Sequence, residues 1–354
     1  MFKDLRVIEL AGVLAGPSVG LFFAELGAEV IKIENPATHG DVTRSWKLRT
    51  EDGDSDTSAY YWSVNFGKTV HFLNFSLAAD LEVFYELVKG ADIVISNYKL
   101  GDDQKLKVSD DILRKLNPGL IYASINGFGK DSPRTAYDLV LQAESGFMYM
   151  NGEAGSPPVK LPVALIDILA GHQLKEAILI ALLHRAKTGL GARLSVSLFD
   201  SAVASLANQA TNWLIAHHLP EAQGSLHPNI APYGELFQTR DHQLITFAIG
   251  SNKQFVHLCR LAGMPELAND PSFSENQQRV IHRTELYDKL KQAIAGISFT
   301  EIYEACLKLD IPIGKIRNMK DVFELGEARA MLRSFSYNNK AYQAVSSIAF
   351  KFES

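Results

Sequence analysis

The run Leu161-Pro162-Val163-Ala164-Leu165-Ile166-Asp167-Ile168-Leu169-Ala170-Gly171 sets one carboxylate in an otherwise apolar segment that leads into a helix. An ionised carboxylate taken out of water without a partner is costly, so such a group is hydrogen-bonded, neutralised or put to chemical use. Capping the following helix is the plain alternative, and the sequence leaves both roles open. A second set of residues is basic and polar: Arg44, Lys68, Asn97-Tyr98-Lys99 and Lys105. Each alone reads as solvated surface. Together, with an aromatic ring at Tyr98, they suit a phosphorylated purine held by charge and stacking.

These groups are positioned by alternating strands and helices. Arg6 to Leu10 reads as a strand, Pro17 to Leu26 as a helix and Glu29 to Glu34 as a second strand. The rhythm repeats with strands at Thr69 to Asn74, Asp92 to Ser96 and Leu120 to Ser124, separated by helices at Leu81 to Lys89 and Asp110 to Leu116. Short apolar strands between helices predict an α/β fold with a doubly wound, mostly parallel sheet. A helix from His172 to Thr188 is apolar on most faces and is expected to be nearly buried, with basic residues suiting its C-terminal dipole. A strand from Arg193 to Leu198 and a long, largely apolar helix from Asp200 to His218 follow. Leu219 to Pro232 holds three prolines and little periodicity, and Tyr233 to Arg317 reads as hairpin strands followed by short helices. The expected division is a large domain over residues 1–218, a smaller α+β domain with its linkers over 219–317, and a return to the large domain over 318–354.

Composition excludes several classes. The chain has 354 residues, 47% hydrophobic and 21% charged, with a net charge of -5, which fits a globular protein and opposes a dedicated nucleic-acid binder. Cys259 and Cys306 form no metal-ligand spacing and no disulfide framework, so no metal is expected and a reducing compartment is. Met1 to Asp4 lead straight into a strand, and no apolar run approaches the roughly 20 residues of a membrane helix. A cytoplasmic protein without membrane association is the expectation.

Gly12, Gly16 and Gly20 follow the first strand, and Glu34 ends the second, an arrangement similar to a dinucleotide-binding unit. The glycines are four apart rather than in G-x-G-x-x-G, and Pro17 occupies the first helical turn, so no nicotinamide cofactor is expected. The loop still lies at the carboxyl end of a parallel strand, where ligands bind.

Long blocks of the chain resemble the class III coenzyme A transferases, a family that includes formyl-CoA, crotonobetainyl-CoA and succinyl-CoA dependent enzymes. The blocks are Glu9 to Pro17, Leu26 to Pro36, Leu116 to Gly129, Tyr137 to Ala143, the Asp167 segment, Leu182 to Gly191 and His227 to Tyr233. The resemblance implies a Rossmann-like large domain and an interlocked homodimer. It also implies CoA transfer from an acyl-CoA donor to a carboxylic acid acceptor. In that chemistry an Asp attacks the thioester to give an aspartyl anhydride and then an enzyme-CoA thioester, and Asp167 stands in its place. Val13, Lys68, Asn97, Tyr98, Lys105, Arg134 and Tyr137 match positions lining the CoA site, with Gly146 and the Gly152 to Gly155 loop as glycine backbone near it. Lys105 stands where the family commonly has Arg, which loses the bidentate fork, and Asp102-Asp103 add charge that opposes a phosphate.

Two alternatives share the fold. An α-methylacyl-CoA racemase uses a His and Asp pair, but this chain reads Ala136-Tyr137-Asp138 where racemases carry Gly-His-Asp, and His172 opens a helix instead. A non-catalytic paralogue would keep the fold as a scaffold. The apolar stretches Ala170 to Leu183 and Ala202 to Ile215 suit either a dimer interface or an intrachain core.

Overall fold

Alternation of side chains along the early strands decides the architecture. In β1 (Arg6–Glu9) Val7 enters one hydrophobic core while Ile8 enters another. The same alternation divides β2 (Glu29–Glu34) at Val30 and Ile31, and β4 (Ile93–Ser96) at Ile93 and Val94. A strand that is apolar on both faces needs cover on both, and βαβ crossovers provide it. The computed structural model, which describes residues 1–353, accordingly has a six-stranded sheet in the order β3-β2-β1-β4-β5-β6. Here β3 is Thr69–Phe72, β5 is Ile121–Asn126 and β6 is Arg193–Ser197. Every neighbouring pair in it is parallel. Strand order reverses between β1 and β4, so the loops leaving these two strands diverge and open a crevice.

Helices α1 (Ala15–Glu25), α2 (Ala59–Asn65), α3 (Ala78–Lys89), α4 (Asp102–Lys105) and α5 (Asp110–Leu116) belong to the first half of the chain. They are followed by α6 (Asp138–Glu144), the short α7 (Phe147–Met150), α8 (Leu165–Thr188), α9 (Leu198–Ala204) and α10 (Ala207–Ala216). One core joins α1, α8 and α9 to the sheet through residues such as Phe23, Leu174 and Ala202. The other joins α3 and α5 through Leu81, Phe84 and Leu113, and its buried strand residues come from β1, β2, β4 and β5, with none from β6.

The chain forms two compact units. The first comprises Met1–Tyr149, Val159–Pro220 and Ala330–Ser354, and the second Met150–Pro158 and Glu221–Arg329. The second unit is α+β: an antiparallel hairpin, Tyr233–Gln238 with Leu244–Ala248, accepts Ile313–Lys315 as a third strand. Its helices bury Phe255, Leu258, Leu290 and Ile302 against that sheet. The boundaries differ from those expected, because residues 150–158 join the second unit and the return to the first comes at Ala330. That return delivers an antiparallel hairpin, Leu332–Tyr337 with Lys340–Val345, onto Trp62 and Phe66. Among the described residues no helix is long and apolar enough to cross a membrane.

Two helices depart from expectation. Helix α8 begins at Leu165 rather than His172, and it is not nearly buried, since Ile180 and Leu183 are each 67% exposed. The segment from Asp200 to His218 is not one helix: α9 ends at Ala204 and α10 begins at Ala207, whose φ of 49° turns the backbone out of the right-handed helical region. None of the residues of α10 is buried within the chain.

Beneath the crevice lies a buried ion cluster. Lys32 Nζ donates to Glu9 Oε1 at 3.0 Å and to the Ala11 carbonyl at 2.8 Å, and pairs with Asp41 Oδ2 at 3.0 Å. Lys68 Nζ donates to both oxygens of Glu9, to the Pro17 carbonyl and to Asn65 Oδ1. Burial alone would lower the Lys32 pKa, but Glu9, Asp41 and Glu34 outweigh it and hold it above the ordinary lysine value. Burial prevails at Lys68, pushing it down to about 8 against the pull of Glu9. Gly20 admits this cluster, because a Cβ there would fall 1.9 Å from Glu9 Oε2.

Removing one partner of a buried ion pair strands the other, at a cost of roughly 3–5 kcal/mol. Glu9→Ala, which strands two ammonium groups, is expected to lower unfolding free energy in urea by about that amount. A loss below about 1 kcal/mol, the range of exposed pairs, would contradict this account of the cluster.

Candidate active site

Asp167 sits in the first turn of α8, and its own side chain does not cap that helix. The cap comes from elsewhere. Asp138, first residue of α6, accepts the Ile166 N–H at 2.8 Å and the Asp167 N–H at 3.4 Å through Oδ1, while Gln142 donates to its Oδ2. The capping role expected of Asp167 is thus filled by Asp138, and the Asp167 carboxylate is left without a hydrogen bond among the described residues. It is 8% exposed. Burial, and then the negative charge of Asp138, push its pKa up to about 7. Helix α8 approaches α1 closely enough that a Cβ at Gly171 would lie 2.5 Å from Ser18 Oγ and 3.2 Å from the Ala15 carbonyl. That contact brings Asp167 to the loop leaving β1.

The loop is held from two sides. Asn97, just past β4, accepts the Gly12 N–H and donates to the Gly12 carbonyl, bridging the point where strand order reverses. Asp41 accepts the Val13 N–H at 3.2 Å, and Val13 has a φ of 69°, a conformation a β-branched residue takes only when its surroundings impose it. Burial would raise Asp41, but Lys32 and the donors of Thr43 hold its pKa below the ordinary value.

Between these loops opens a cleft of about 310 Å³, lined by Val13, Asn97, Tyr98, Arg134, Tyr137 and Asp167 among others. Six of the eight residues singled out in the sequence therefore line one cavity. Lys68 and Lys105 do not. The Lys68 ammonium is spent on Glu9 below the loop, and Lys105, exposed at the end of α4, is not part of the lining. Gly146 is also outside the lining. Arg134 is stacked over Phe128, 3.6 Å from the ring centroid, and pairs with Glu144. Burial raises the Tyr98 hydroxyl well above the ordinary phenol value.

Other lining residues escaped the sequence reading. Lys130 and Arg193 line the cleft, beside Lys99 and Asp103, which the sequence already marks as charges near a phosphate. Arg193 alternates with Leu194, Ser195 and Val196, a polar-apolar pattern in β6 that marks one face as uncovered. Tyr60 was missed as well. Burial and then the charge of Asp167 push its hydroxyl up to about 12, so the phenol lies within the field of that carboxylate. His172 is exposed on α8, and no histidine lines the cleft. Among the described residues no cluster of three or more His, Cys, Asp or Glu side chains could hold a metal ion.

The model of the CoA-transferase family III matches residues 2–353. Succinate–glutarate CoA-transferase of Agrobacterium fabrum is 38% identical over 333 residues, covering 91% of this chain and 81% of that protein. Acetyl-CoA:oxalate CoA-transferase of Acetobacter aceti is 34% identical, covering 93% of this chain and 84% of its own length. A crystal structure of a CAIB/BAIF family protein from Brucella suis superposes with a TM-score of 0.84 at 35% identity, over 99% of this chain and 92% of that one. With an unpartnered carboxylate in a cleft at the point where strand order reverses, and a match along its length, the chain belongs to CoA-transferase family III and is a class III CoA-transferase.

Proposed function

We propose that this enzyme moves CoA between short dicarboxylic acids through covalent intermediates on Asp167. The observation that carries the reading is the contrast at Asp167: a buried carboxylate, unpartnered, facing a cleft with several unpaired cations. A poorly solvated carboxylate is a better nucleophile than one held by donors. Its oxygen attacks the thioester carbonyl carbon, the carbon–sulfur bond breaks, and CoA leaves as thiolate, giving a mixed anhydride. The thiolate then attacks the aspartyl carbonyl and releases the donor acid, giving an enzyme-CoA thioester. The acceptor carboxylate displaces the thiolate to form a second anhydride. Attack of the thiolate on the acceptor's carbonyl yields the new acyl-CoA and regenerates Asp167. No proton is gained or lost over the cycle, and neither a metal nor a nicotinamide enters it.

Relatives named for succinate, glutarate, oxalate and mesaconate support a dicarboxylic acid as acceptor. Val13, Asn97, Tyr98, Arg134 and Tyr137 form the wall along which the CoA thioester lies in this reading. The racemase alternative would need a base beside the substrate, and the cleft has no imidazole to supply it. A homodimer is part of the proposal, since Ile180 and Leu183 on α8 and Trp213, Leu214 and Ile215 on α10 are exposed in the single chain. A cytoplasmic site accords with Cys259 and Cys306, both buried and unbridged.

Incubation with succinyl-CoA, followed by hydroxylamine and peptide mass spectrometry, is expected to show a hydroxamate at Asp167. Asp167→Ala should reduce transfer by at least roughly 10³-fold. Retained transfer in that variant would sink the covalent mechanism. The attacking group must be ionised, so kcat/KM is expected to rise with pH through an apparent pKa of about 7. Asp138→Asn keeps an oxygen for the Ile166 N–H but removes the charge that raises Asp167, so the rising limb should move to lower pH. An unmoved limb would show that Asp138 acts only as a cap. Stability gives a second check. Asp167 binds its proton more tightly folded than unfolded, so its penalty is absent below the ordinary value of 3.8 and complete above about 7. Asp167→Asn should therefore match the natural protein near pH 4 and exceed it in thermal stability near pH 8, at a limiting slope of about 1.4 kcal/mol per pH unit between.

A further inference from the structure

The hairpin Leu332–Tyr337 with Lys340–Val345 leaves an edge of its second strand unpaired. Ser346 donates its N–H to the Met331 carbonyl, which makes that pair a hydrogen-bonded rung, and in an antiparallel ladder such rungs alternate. Arg333 with Ala344 and Phe335 with Tyr342 are hydrogen-bonded rungs too. Gln343 and Val345 lie between them, so their N–H and C=O groups point away from Leu332–Tyr337, and the hairpin is a sheet of two strands only among the described residues.

A groove of about 490 Å³ runs along that edge, lined by Tyr342, Gln343, Ala344 and Val345 in succession. Consecutive strand residues point to opposite faces, so a cavity that touches four in a row lies beside the strand rather than over one face of it. The other lining residues come from α2 and the loop before it. Trp62 stacks on Tyr342, with ring centroids 6.1 Å apart. The hydroxyls of Thr57 and Ser58 are already taken, the first by Trp62 Nε1 and the second by the Thr43 carbonyl and the Tyr61 N–H. Glu51 and Asp52 are the charged residues of the lining, and Lys340 offsets Asp52, so the charge left on the rim is that of Glu51. An aromatic wall, an acidic rim and a row of unpaired main-chain groups suit strand addition, in which an extended peptide pairs with a free edge and seats its alternate side chains.

The chain carries a segment of matching chemistry. Residues 349–353 read Ala-Phe-Lys-Phe-Glu, are all exposed, and among the described residues have no hydrogen bond, ion pair or ring contact. Phe350 is 52% and Phe352 71% exposed. In an extended strand both rings fall on one face and Lys351 on the other. The linkage to Val345 holds this segment off the groove of its own chain: Ser346 and Ser347 are bound to Glu25, and Ile348 packs into the core of α1 and α8.

We propose that the groove receives residues 349–352 of a second copy of this chain as an added strand along Gln343 and Val345, with Phe350 and Phe352 against Trp62 and Tyr342 and Lys351 offsetting Glu51. In a two-fold dimer the exchange is reciprocal, each chain giving one segment and receiving one. It rests on the homodimer proposed above and on none of the chemistry at Asp167.

Two measurements test it. A fluorescent peptide of residues 348–353 should bind the full chain carrying Phe350→Ala and Phe352→Ala, whose own segment no longer competes, and the same peptide with alanine at both Phe positions should not bind. Adding Gln343→Pro removes an N–H that faces the groove and no hydrogen bond of the hairpin, so peptide affinity should fall about tenfold. A full chain carrying Gln343→Cys and Lys351→Cys, both at exposed positions, should be joined by a short bismaleimide into covalent dimers, while the native Cys259 and Cys306 are buried. Adding the two Phe→Ala changes should abolish the cross-link. A link formed within one chain would overturn the assignment to a second copy. Absence of peptide binding or of the cross-link in a protein that is dimeric by light scattering would overturn the exchange and leave the homodimer through α8 and α10 standing, whereas a monomer would overturn both.

Discussion

Lys32 brings an ammonium group to the underside of the β1 loop with almost no water to solvate it, and the rest of the site follows from how that charge is satisfied. Its three protons face Glu9, the Ala11 carbonyl and Asp41, so none is left over. Glu9 is shared with Lys68, which in turn holds the Pro17 carbonyl at the first turn of α1. Two ammonium groups and two carboxylates thereby fix both ends of the loop that turns from β1 into α1. Buried pairs of this kind are poor evidence for net stability, since desolvation consumes much of the attraction. Their effect is on geometry. A loop whose carbonyls are ligands of a buried cation has few alternative shapes, and Asp41 extends that restriction to Val13, whose left-handed backbone costs on the order of 1–2 kcal/mol per residue.

Asp41 and Asp167 make the principle visible because both are buried carboxylates on the rim of the same loop. Burial acts on both in the same sense, raising the pKa. Asp41 ends below the ordinary value because Lys32, Thr43 and Val13 supply charge and donors, and a carboxylate so occupied has no lone pair to offer a substrate. Asp167 ends at about 7 because burial is not offset there by any cation, and the charge that does act on it, Asp138, is another carboxylate. The two backbone donors that α8 offers at its first turn go to Asp138. One Asp spends the helix terminus so that the other remains unpartnered. The fold has partitioned structural and reactive carboxylates by controlling who receives the donors.

That partition explains which parts of the site were legible in the sequence. Asp167 stood out because every neighbour in the chain is apolar, a local property. The parallel sheet was legible because its strands are short, apolar on both faces and separated by helices, and the crevice at the reversal of strand order follows from that pattern. Partners distant in sequence were not. Lys68 read as a ligand of the CoA site, yet its charge is consumed by Glu9, 59 residues earlier. The cap of α8 comes from a residue 28 positions before Ile166. Arg193 was within reach, since Arg-Leu-Ser-Val-Ser alternates polar and apolar residues as a strand does when one face lacks a covering helix. Alternation was read there for the existence of the strand and not for the face it exposes.

The exposure of α8 has a geometric cause of the same kind. Core residues run its whole length, from Ile166 and Leu174 to Ile178 and Ala181, and Arg185 in its last turn still pairs with Asp92. Ile180 and Leu183, three residues apart, lie on another face of the same turns with nothing of this chain above them. Periodicity registers an apolar side chain without registering what it packs against, which is why the same residues suited a core or an interface equally well. In the proposed homodimer the uncovered face of α8 and the unburied α10 meet the partner, leaving the core-facing side to hold the carboxylate still. A single helix then serves two purposes: one face is fixed because the core grips it, the other is apolar because a second chain covers it.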